Sequence, residues 1–259
     1  MILSVQIVRN ITELSYEIKL LQSFLCLSVC ILHYIYTKRK TYSIIYLYGF
    51  IFWGLIELAL ALRGIRNGTF ISPDFFGFEI GYFVSALLRG SSEGGMPTLL
   101  AIIVSDSVMR LDRKRKLLAI RALAVFIFFS IFIPMVGSWE SEKIIGNGAS
   151  SRNVFSILSV LVLGLMIAYS LIWMYLYADK FEYKRVAIMS ITLIVLSLLW
   201  NFAGYIMNVR WVEFDAARAG ILLEFFILLP FQALFEVAGP YILFYILPRS
   251  LNHINESHL

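Results

Sequence analysis

Apolar residues occur in long unbroken runs, and short polar segments separate one run from the next. The runs lack the period-two alternation of membrane-spanning strands, and most are long enough to cross a hydrocarbon core of about 30 Å as a helix. The pattern predicts an all-α, polytopic, seven-transmembrane helix bundle in which residues 1–259 form one membrane domain. The predicted spans are approximately 18–36, 42–62, 75–105, 117–136, 154–177, 186–207 and 220–247.

The third run is interrupted by a polar segment, RGSSEGGMP at residues 89–97. Its apolar flanks, 75–88 and 96–104, would extend about 21 Å and about 14 Å as helices, so neither crosses a bilayer alone. If residues 89–97 formed a surface loop, neither flank would be long enough to span the membrane. The sequence therefore predicts that this segment lies in the membrane interior, on one long or broken helix.

Composition supports the membrane assignment. Hydrophobic residues make up 60% of the chain, charged residues 15%, and the mean hydropathy is +0.81, whereas a soluble domain carries about a quarter charged residues. The expected surroundings are a lipid bilayer, either the plasma membrane or an endomembrane. The net charge of +5 is distributed in short blocks at helix ends, which does not indicate nucleic-acid binding.

Basic residues cluster at alternate connections, for example 38–40 and 180–185. The positive-inside rule then predicts an outside or lumenal amino end and a cytosolic carboxyl end. The third connection is the most basic, and beyond setting orientation it is a candidate contact for anionic lipid or a cytosolic partner. Its basic residues are Arg110, Arg113, Lys114, Arg115 and Lys116. On the predicted outer side, Asn10 and Asn67 begin N-x-T triplets and are glycosylation candidates.

Ionisable residues inside a span are functional candidates, because they are costly unless paired or hydrated. Arg89 and Glu93 lie one helical turn apart in the third span, and Gln232 and Glu236 repeat that spacing in the last. We predict that these four residues form an intramembrane polar cluster. A second polar set lies toward the predicted outer side, where it could rim a pocket: Glu57, Glu79, Asn201 and Glu224.

Small residues in the third span allow two interpretations. Ala86, Gly90 and Gly94 form a small-xxx-small series that favours a close helix crossing. Alternatively, the polar segment breaks the helix at Gly94, Gly95 and Pro97, and the second half-helix turns its free amides toward an anion or polar ligand. The last span has its own candidate kink positions, which are Pro230, Gly239 and Pro240.

Catalytic chemistry has little support in the sequence. The chain contains no helical histidine pair and no phosphate-binding glycine loop, and its three histidines are scattered. Cys26 and Cys30 lie one turn apart inside the first span, where packing is the expected role. We therefore expect no metal and no cofactor. The residues favour a non-enzyme, and an enzyme stays open as an alternative that no motif supports.

Three functions remain as hypotheses, and a seven-helix receptor-like protein that senses a small-molecule ligand or signal is the first. This arrangement resembles that of G-protein-coupled receptors in architecture alone, since the last span has AGPYILFY where that family has an NPxxY motif. The second is a small-solute or ion transporter of three-plus-one-plus-three helices, as in the SWEET sugar transporters. A faint repeat favours it, because Glu79 and Gly94 match Glu224 and Gly239 at a common offset of 145. The third is a membrane-complex assembly or trafficking subunit.

Overall fold

The computed structural model describes most of the chain. The described residues are 5–10, 15–63, 66–67, 74–75, 78–79, 81–109, 149–153, 156–206, 210–214, 217–218 and 220–254, with short pieces between 116 and 128.

Long helices dominate the amino-terminal half. Helix α1 spans Ser15–Thr37 and helix α2 spans Thr41–Leu62. Helix α3 consists of three consecutive segments: an α-helix at Tyr82–Arg89, a π-helix at Gly90–Gly95 and an α-helix at Met96–Met109. Gly90 and Met96, at the ends of the π segment, keep right-handed helical dihedrals, so α3 continues without a break and is about 40 Å long.

The carboxyl-terminal half has the same character. Helix α4 spans Ile157–Tyr177 and begins at Ser156, whose side chain accepts a hydrogen bond from the backbone N–H of Ser159. Helix α5 spans Lys180–Ile206. Helix α6 then runs to Ser250 as a series of short α and π segments: Ile221–Leu223, Glu224–Leu228, Leu229–Phe231, Gln232–Ala238, Gly239–Tyr241 and Leu243–Ser250.

Five helices among the described residues are long and apolar enough to cross a membrane. They are Tyr16–Thr37, Thr41–Leu62, Ile157–Tyr177, Lys180–Ile206 and Glu224–Ser250. The prediction of a predominantly helical, multi-pass membrane protein is therefore confirmed. The fourth predicted span, 117–136, lies mostly outside the described residues.

The third predicted span differs from the observed helix at its start. It was expected to begin at residue 75, whereas α3 begins at Tyr82. The preceding residues form a hairpin of two short antiparallel strands, β3 (Asp74–Phe75) and β4 (Phe78–Glu79). Glu79 therefore lies in a strand before the helix. The apolar run includes the chain reversal of this hairpin, which hydropathy alone does not reveal.

A small antiparallel sheet is the feature that the all-α prediction did not include. Its strands are β1 (Val5–Asn10), β2 (Arg66–Asn67), β5 (Ala149–Asn153), β6 (Arg210–Phe214) and β7 (Ala217–Arg218), in the order β2–β5–β1–β6–β7. These strands come from four separate stretches of chain that flank the helices. The sheet thus collects, at one end of the bundle, segments that the sequence assigned to one side of the membrane.

Helix α3 is the buried centre of the bundle. Almost every residue from Ser85 to Ser107 is buried or half-buried, whereas α1 and α4 expose large apolar side chains such as Phe24, Ile31 and Leu165. Lipid can cover apolar side chains, but it cannot satisfy polar ones. The most polar helix is therefore enclosed by helices that are themselves suited to contact lipid.

Candidate functional site

Helices α2 and α3 cross with their backbones in direct contact. A methyl group built on Gly90 would lie 2.8 Å from the Cα of Gly54, and one built on Gly94 would lie 2.5 Å from the carbonyl oxygen of Gly49. Real side chains do not tolerate such separations, so glycine is required at this crossing. The close-packed crossing is therefore the interpretation that the geometry supports, and the open half-helix end is not formed because α3 continues through Pro97.

Arg89 and Glu93 lie on α3 at the predicted one-turn spacing and form an ion pair, with Nη1 and Oε1 3.8 Å apart. The shorter ion pair of Glu93 is with Lys19 of α1, at 3.2 Å. Arg89 also donates to the hydroxyl of Tyr16 at 3.5 Å, and that hydroxyl lies 2.7 Å from Ser85 Oγ. We call Tyr16, Lys19, Glu57, Ser85, Arg89 and Glu93 the sheet-end cluster, because they lie on the parts of α1, α2 and α3 that are next in sequence to the strands.

The sheet-end cluster is largely enclosed. The side chains of Arg89, Lys19 and Glu93 are 5%, 14% and 19% exposed. Glu57 of α2 is fully buried and lies close enough to Arg89 to interact with it electrostatically. Two cations thus face two carboxylates, and this formal balance is what allows ionised groups to remain inside a bundle.

Serines of the π segment continue the polar contacts along α3. Ser91 donates to Ser23 of α1 at 2.5 Å, and its oxygen lies 2.5 Å from the hydroxyl of Tyr46 on α2. Ser92 donates to the carbonyl of Leu88 in its own helix. The π segment therefore joins α1 and α2 through one buried side chain.

A second polar network lies at the opposite end of α3. Arg185 of α5 is 1% exposed and pairs with Asp106 of α3 at 2.7 Å. Asp106 also accepts from the hydroxyl of Tyr42 on α2 at 3.1 Å, and Arg185 donates to the hydroxyl of Tyr245 on α6 at 3.1 Å. One buried ion pair therefore connects four helices.

Helix α6 adds a second ion pair to this network. The hydroxyl of Tyr245 donates to Glu182 at 2.5 Å, and Arg249 pairs with the other oxygen of Glu182 at 2.7 Å. We call Tyr42, Asp106, Glu182, Arg185, Tyr245 and Arg249 the tail-end cluster. It contains two carboxylates and two guanidinium groups, so it is also formally balanced.

Gln232 and Glu236 are buried on the second π segment of α6, at 2% and 7% exposure. This segment packs mainly against α5, whereas Arg89 and Glu93 pair with α1 and with each other. The four residues predicted as one cluster therefore lie at two different contacts between helices, α6 with α5 and α3 with α1.

Three members of the second predicted set, Glu57, Asn201 and Glu224, are buried. Glu57 and Glu224 are 0% and 1% exposed, and Asn201 donates to Ser197 in its own helix at 3.2 Å. Among the kink candidates, Pro230 lies in the short α segment between the two π segments of α6, and Pro240 lies in the short α segment that follows the second. Gly239 packs closely against α4, since a methyl group there would lie 2.9 Å from the side chain of Ile167.

The remaining predictions fall partly outside the described residues. Of the basic residues in the third connection only Lys116 is described, and it is exposed. Asn10 and Asn67 both lie in strands, and the pairing register places them on the same face of the sheet.

The tail-end cluster was not predicted from the sequence. Arg185 was counted with the basic connection residues that set orientation, because it follows Lys184 near the predicted start of a span. In the structure it lies within α5 and is enclosed. The available signal was Asp106, a carboxylate at the end of an otherwise apolar stretch of α3, but its partner is 79 residues away and cannot be identified by helical spacing.

Comparisons with protein-family models, with curated proteins and with solved structures find no match for this chain. The helices themselves define the class, which is a multi-pass helical membrane protein.

Proposed function

We propose that the chain is a seven-helix receptor-like membrane protein in which α3 couples the sheet-end cluster at one end of the bundle to the tail-end cluster at the other. The observation that carries the proposal is that both buried, charge-balanced clusters have members on this single helix. Glu93 and Asp106 are about 20 Å apart along it, and each is held by a different helix.

Seven crossings are supported by the path of the chain. Helix α3 leads away from the sheet end, and β5 returns to it. The predicted span 117–136 lies between these two elements in the sequence, and one crossing by it would connect the two ends of the bundle. Helix α6 leaves the sheet after β7 and ends at Ser250 beside the tail-end cluster. The basic connections, which favour a cytosolic tail end, supply the orientation.

Formal charge balance favours a switch over a site for a charged solute. A binding site for an ion normally presents an excess of the opposite charge, whereas the formal charges of the named members of each cluster sum to zero. When helices shift, a residue of a buried ion pair can exchange its partner for another charged residue. Such pairs can therefore stabilise two discrete packings of the helices.

The crossing of α2 and α3 offers a place about which such a shift can occur. Glycines on both helices bring the two backbones together at the closest approach, where Trp53 packs against Gly94 and Tyr46 packs against Gly95. The π segment of α3 lies directly at this point. π-Helical segments are frequent at functional sites. We infer that α3 moves about this crossing when a signal reaches the sheet-end cluster.

Coupling can be tested without knowing the ligand. Spin labels are placed at Val108 and Tyr177, which are exposed positions on the tail-end parts of α3 and α4. The distance between the two labels reports the separation of these helices at the tail end. The labels are introduced after Cys26 and Cys30 have been replaced by alanine, in protein held in nanodiscs. Asp106→Asn should add a second, longer distance population, because Arg185 loses its charged partner. Coupling predicts that Glu93→Gln produces the same second population.

The control is Glu213→Gln, which changes a carboxylate of β6 outside both clusters and should leave the distances as they were. If Asp106→Asn shifts the distances and Glu93→Gln does not, the clusters are independent and the switch proposal is wrong.

Transport is the second candidate, and the structure of α6 favours it. Glu224, Gln232 and Glu236 are buried on π segments of a membrane-spanning helix, and irregular helices with buried carboxylates are typical of ion and proton pathways. Proton flux into liposomes, followed with a trapped pH dye under a clamped potential, tests this role. Flux that Glu236→Gln abolishes and Glu213→Gln preserves would favour the transporter over the receptor.

A further inference from the structure

Arg89 of the sheet-end cluster is held more loosely than Arg185 of the tail-end cluster. The guanidinium group of Arg185 lies 2.7 Å from the carboxylate of Asp106. Arg89 is also buried, but its hydrogen bond to the hydroxyl of Tyr16 is 3.5 Å long and its ion pair with Glu93 is 3.8 Å long. Good hydrogen bonds between nitrogen and oxygen are about 2.7–3.2 Å long. Arg89 therefore has capacity for a stronger partner.

One edge of the Arg89 guanidinium group is available to such a partner. Nε–H and Nη2 form an edge that can bind a carboxylate through two parallel hydrogen bonds. In the part of the chain that the structure describes, the buried Nε–H has no hydrogen-bond partner, and the one hydrogen bond of Nη2 is the long one to Tyr16. A buried donor without an acceptor is unfavourable. A carboxylate at this edge would satisfy both donors.

The charge of the cluster restricts what kind of carboxylate can bind. The formal charges of Lys19, Arg89, Glu57 and Glu93 sum to zero. A ligand with a carboxylate alone would make this sum negative inside the bundle, where an unbalanced charge is costly. A ligand that carries both a carboxylate and an ammonium group adds no net charge. The balance that disfavours a simple ion therefore favours a zwitterion.

Glu93 is suited to receive the ammonium group. The side chains of Glu93 and Lys19 are 19% and 14% exposed, whereas that of Arg89 is 5% exposed, so the ion pair of Glu93 with Lys19 is the more accessible part of the cluster. Lys19 reaches Glu93 with an ammonium group on a flexible stem, and a ligand ammonium group can take its place. Glu93 lies one helical turn after Arg89, so a short ligand can contact both residues.

We propose that the sheet-end cluster binds a small zwitterion, with its carboxylate on the Nε and Nη2 edge of Arg89 and its ammonium group on Glu93. The ligand ammonium group replaces Lys19 of α1 as the partner of Glu93, which loosens α1 from α3 at this end of the bundle. This inference rests on the proposed receptor function, in which the sheet-end cluster receives the signal, and it gives the chemical class of that signal.

The test uses the full chain in phosphatidylcholine nanodiscs and follows its Tm. The probes are glycine, β-alanine and γ-aminobutyrate, which differ in the distance between the carboxylate and the ammonium group. Each probe is compared with an equimolar mixture of the carboxylate and the alkylamine of corresponding length, and sodium chloride equalises the ionic strength. At a concentration far above its Kd, the best-fitting zwitterion should raise Tm by about 3 °C or more. The matched mixture should not.

Two variants test the role of Arg89 in this response. Arg89→Lys keeps the positive charge but removes the edge with two donors, so it should weaken binding of the zwitterion by about tenfold or more. The control is Arg63→Lys, which makes the same change in an exposed arginine that ends α2 at the same end of the bundle. This variant should keep the full rise in Tm. If Arg89→Lys does not fold, the comparison of probes with the parent protein decides.

The proposal is wrong if no zwitterion raises Tm above its matched mixture, if Arg89→Lys keeps the parent affinity, or if Arg63→Lys loses as much affinity as Arg89→Lys. The spin labels at Val108 and Tyr177 separate this outcome from failure of the receptor role. A zwitterion that raises Tm but leaves the label distance unchanged supports the site and contradicts the coupling. If Glu93→Gln shifts the distance while no zwitterion binds, the coupling is supported and the site is refuted.

Discussion

The buried ion pair of the tail-end cluster leads to a quantitative prediction. Arg185 and Asp106 are 2.7 Å apart, and the Arg185 side chain is 1% exposed. Removing one member leaves the other charged in the interior, which costs about 3–5 kcal/mol in proteins. In a membrane protein the unfolded chain also finds polar partners, so the lower end of this range applies. We therefore expect Asp106→Asn and Arg185→Gln each to lower the free energy of unfolding by about 3 kcal/mol.

The double variant supplies the more decisive measurement. Because it leaves no unpaired charge in this pair, it should lose at least about 2 kcal/mol less than the sum of the single variants. The free energy of unfolding is measured by titration with a denaturing detergent in mixed micelles. Simple additivity would contradict the interaction inferred from the geometry.

A second ion pair of the same length serves as an internal comparison. Arg249 and Glu182 are also 2.7 Å apart, but the Arg249 side chain is 22% exposed. Glu182→Gln leaves Arg249 as the unpaired charge, and its partial access to water reduces the cost, so this variant should cost only about 1 kcal/mol. An equal loss for Glu182→Gln and Asp106→Asn, which leaves the buried Arg185, would show that burial does not set the magnitude.

Two further predictions concern the interior of the bundle. Gly90→Ala should destabilise the protein by about 2 kcal/mol, because its methyl group meets the backbone of α2, while Gly164→Ala on α4, with open space around it, should be neutral or stabilising by up to about 1 kcal/mol. In a background free of the native cysteines, a cysteine at Ser92 (5% exposed) should react with a maleimide far more slowly than one at Val108 (46% exposed). Equal rates would place the polar segment at the surface.

Local periodicity was sufficient to determine several features of this protein. Hydropathy identified the helices, and the short flanks of residues 89–97 placed a polar segment inside the third one. The pairing of Arg89 with Glu93 followed from their spacing of one turn, and the small-residue series indicated the close crossing at Gly90 and Gly94. Each of these inferences depends on residues only a few positions apart.

Tertiary structure decided which distant segments meet. Lys19 as the partner of Glu93, Arg185 as the partner of Asp106, and the assembly of the sheet from strands as short as two residues follow from how the helices are arranged. Lipid and protein interior are both apolar, so hydropathy shows that a helix crosses a membrane but not which of its faces meets another helix. The arrangement of the helices around α3 determines which faces meet, and therefore which residues make up each polar cluster.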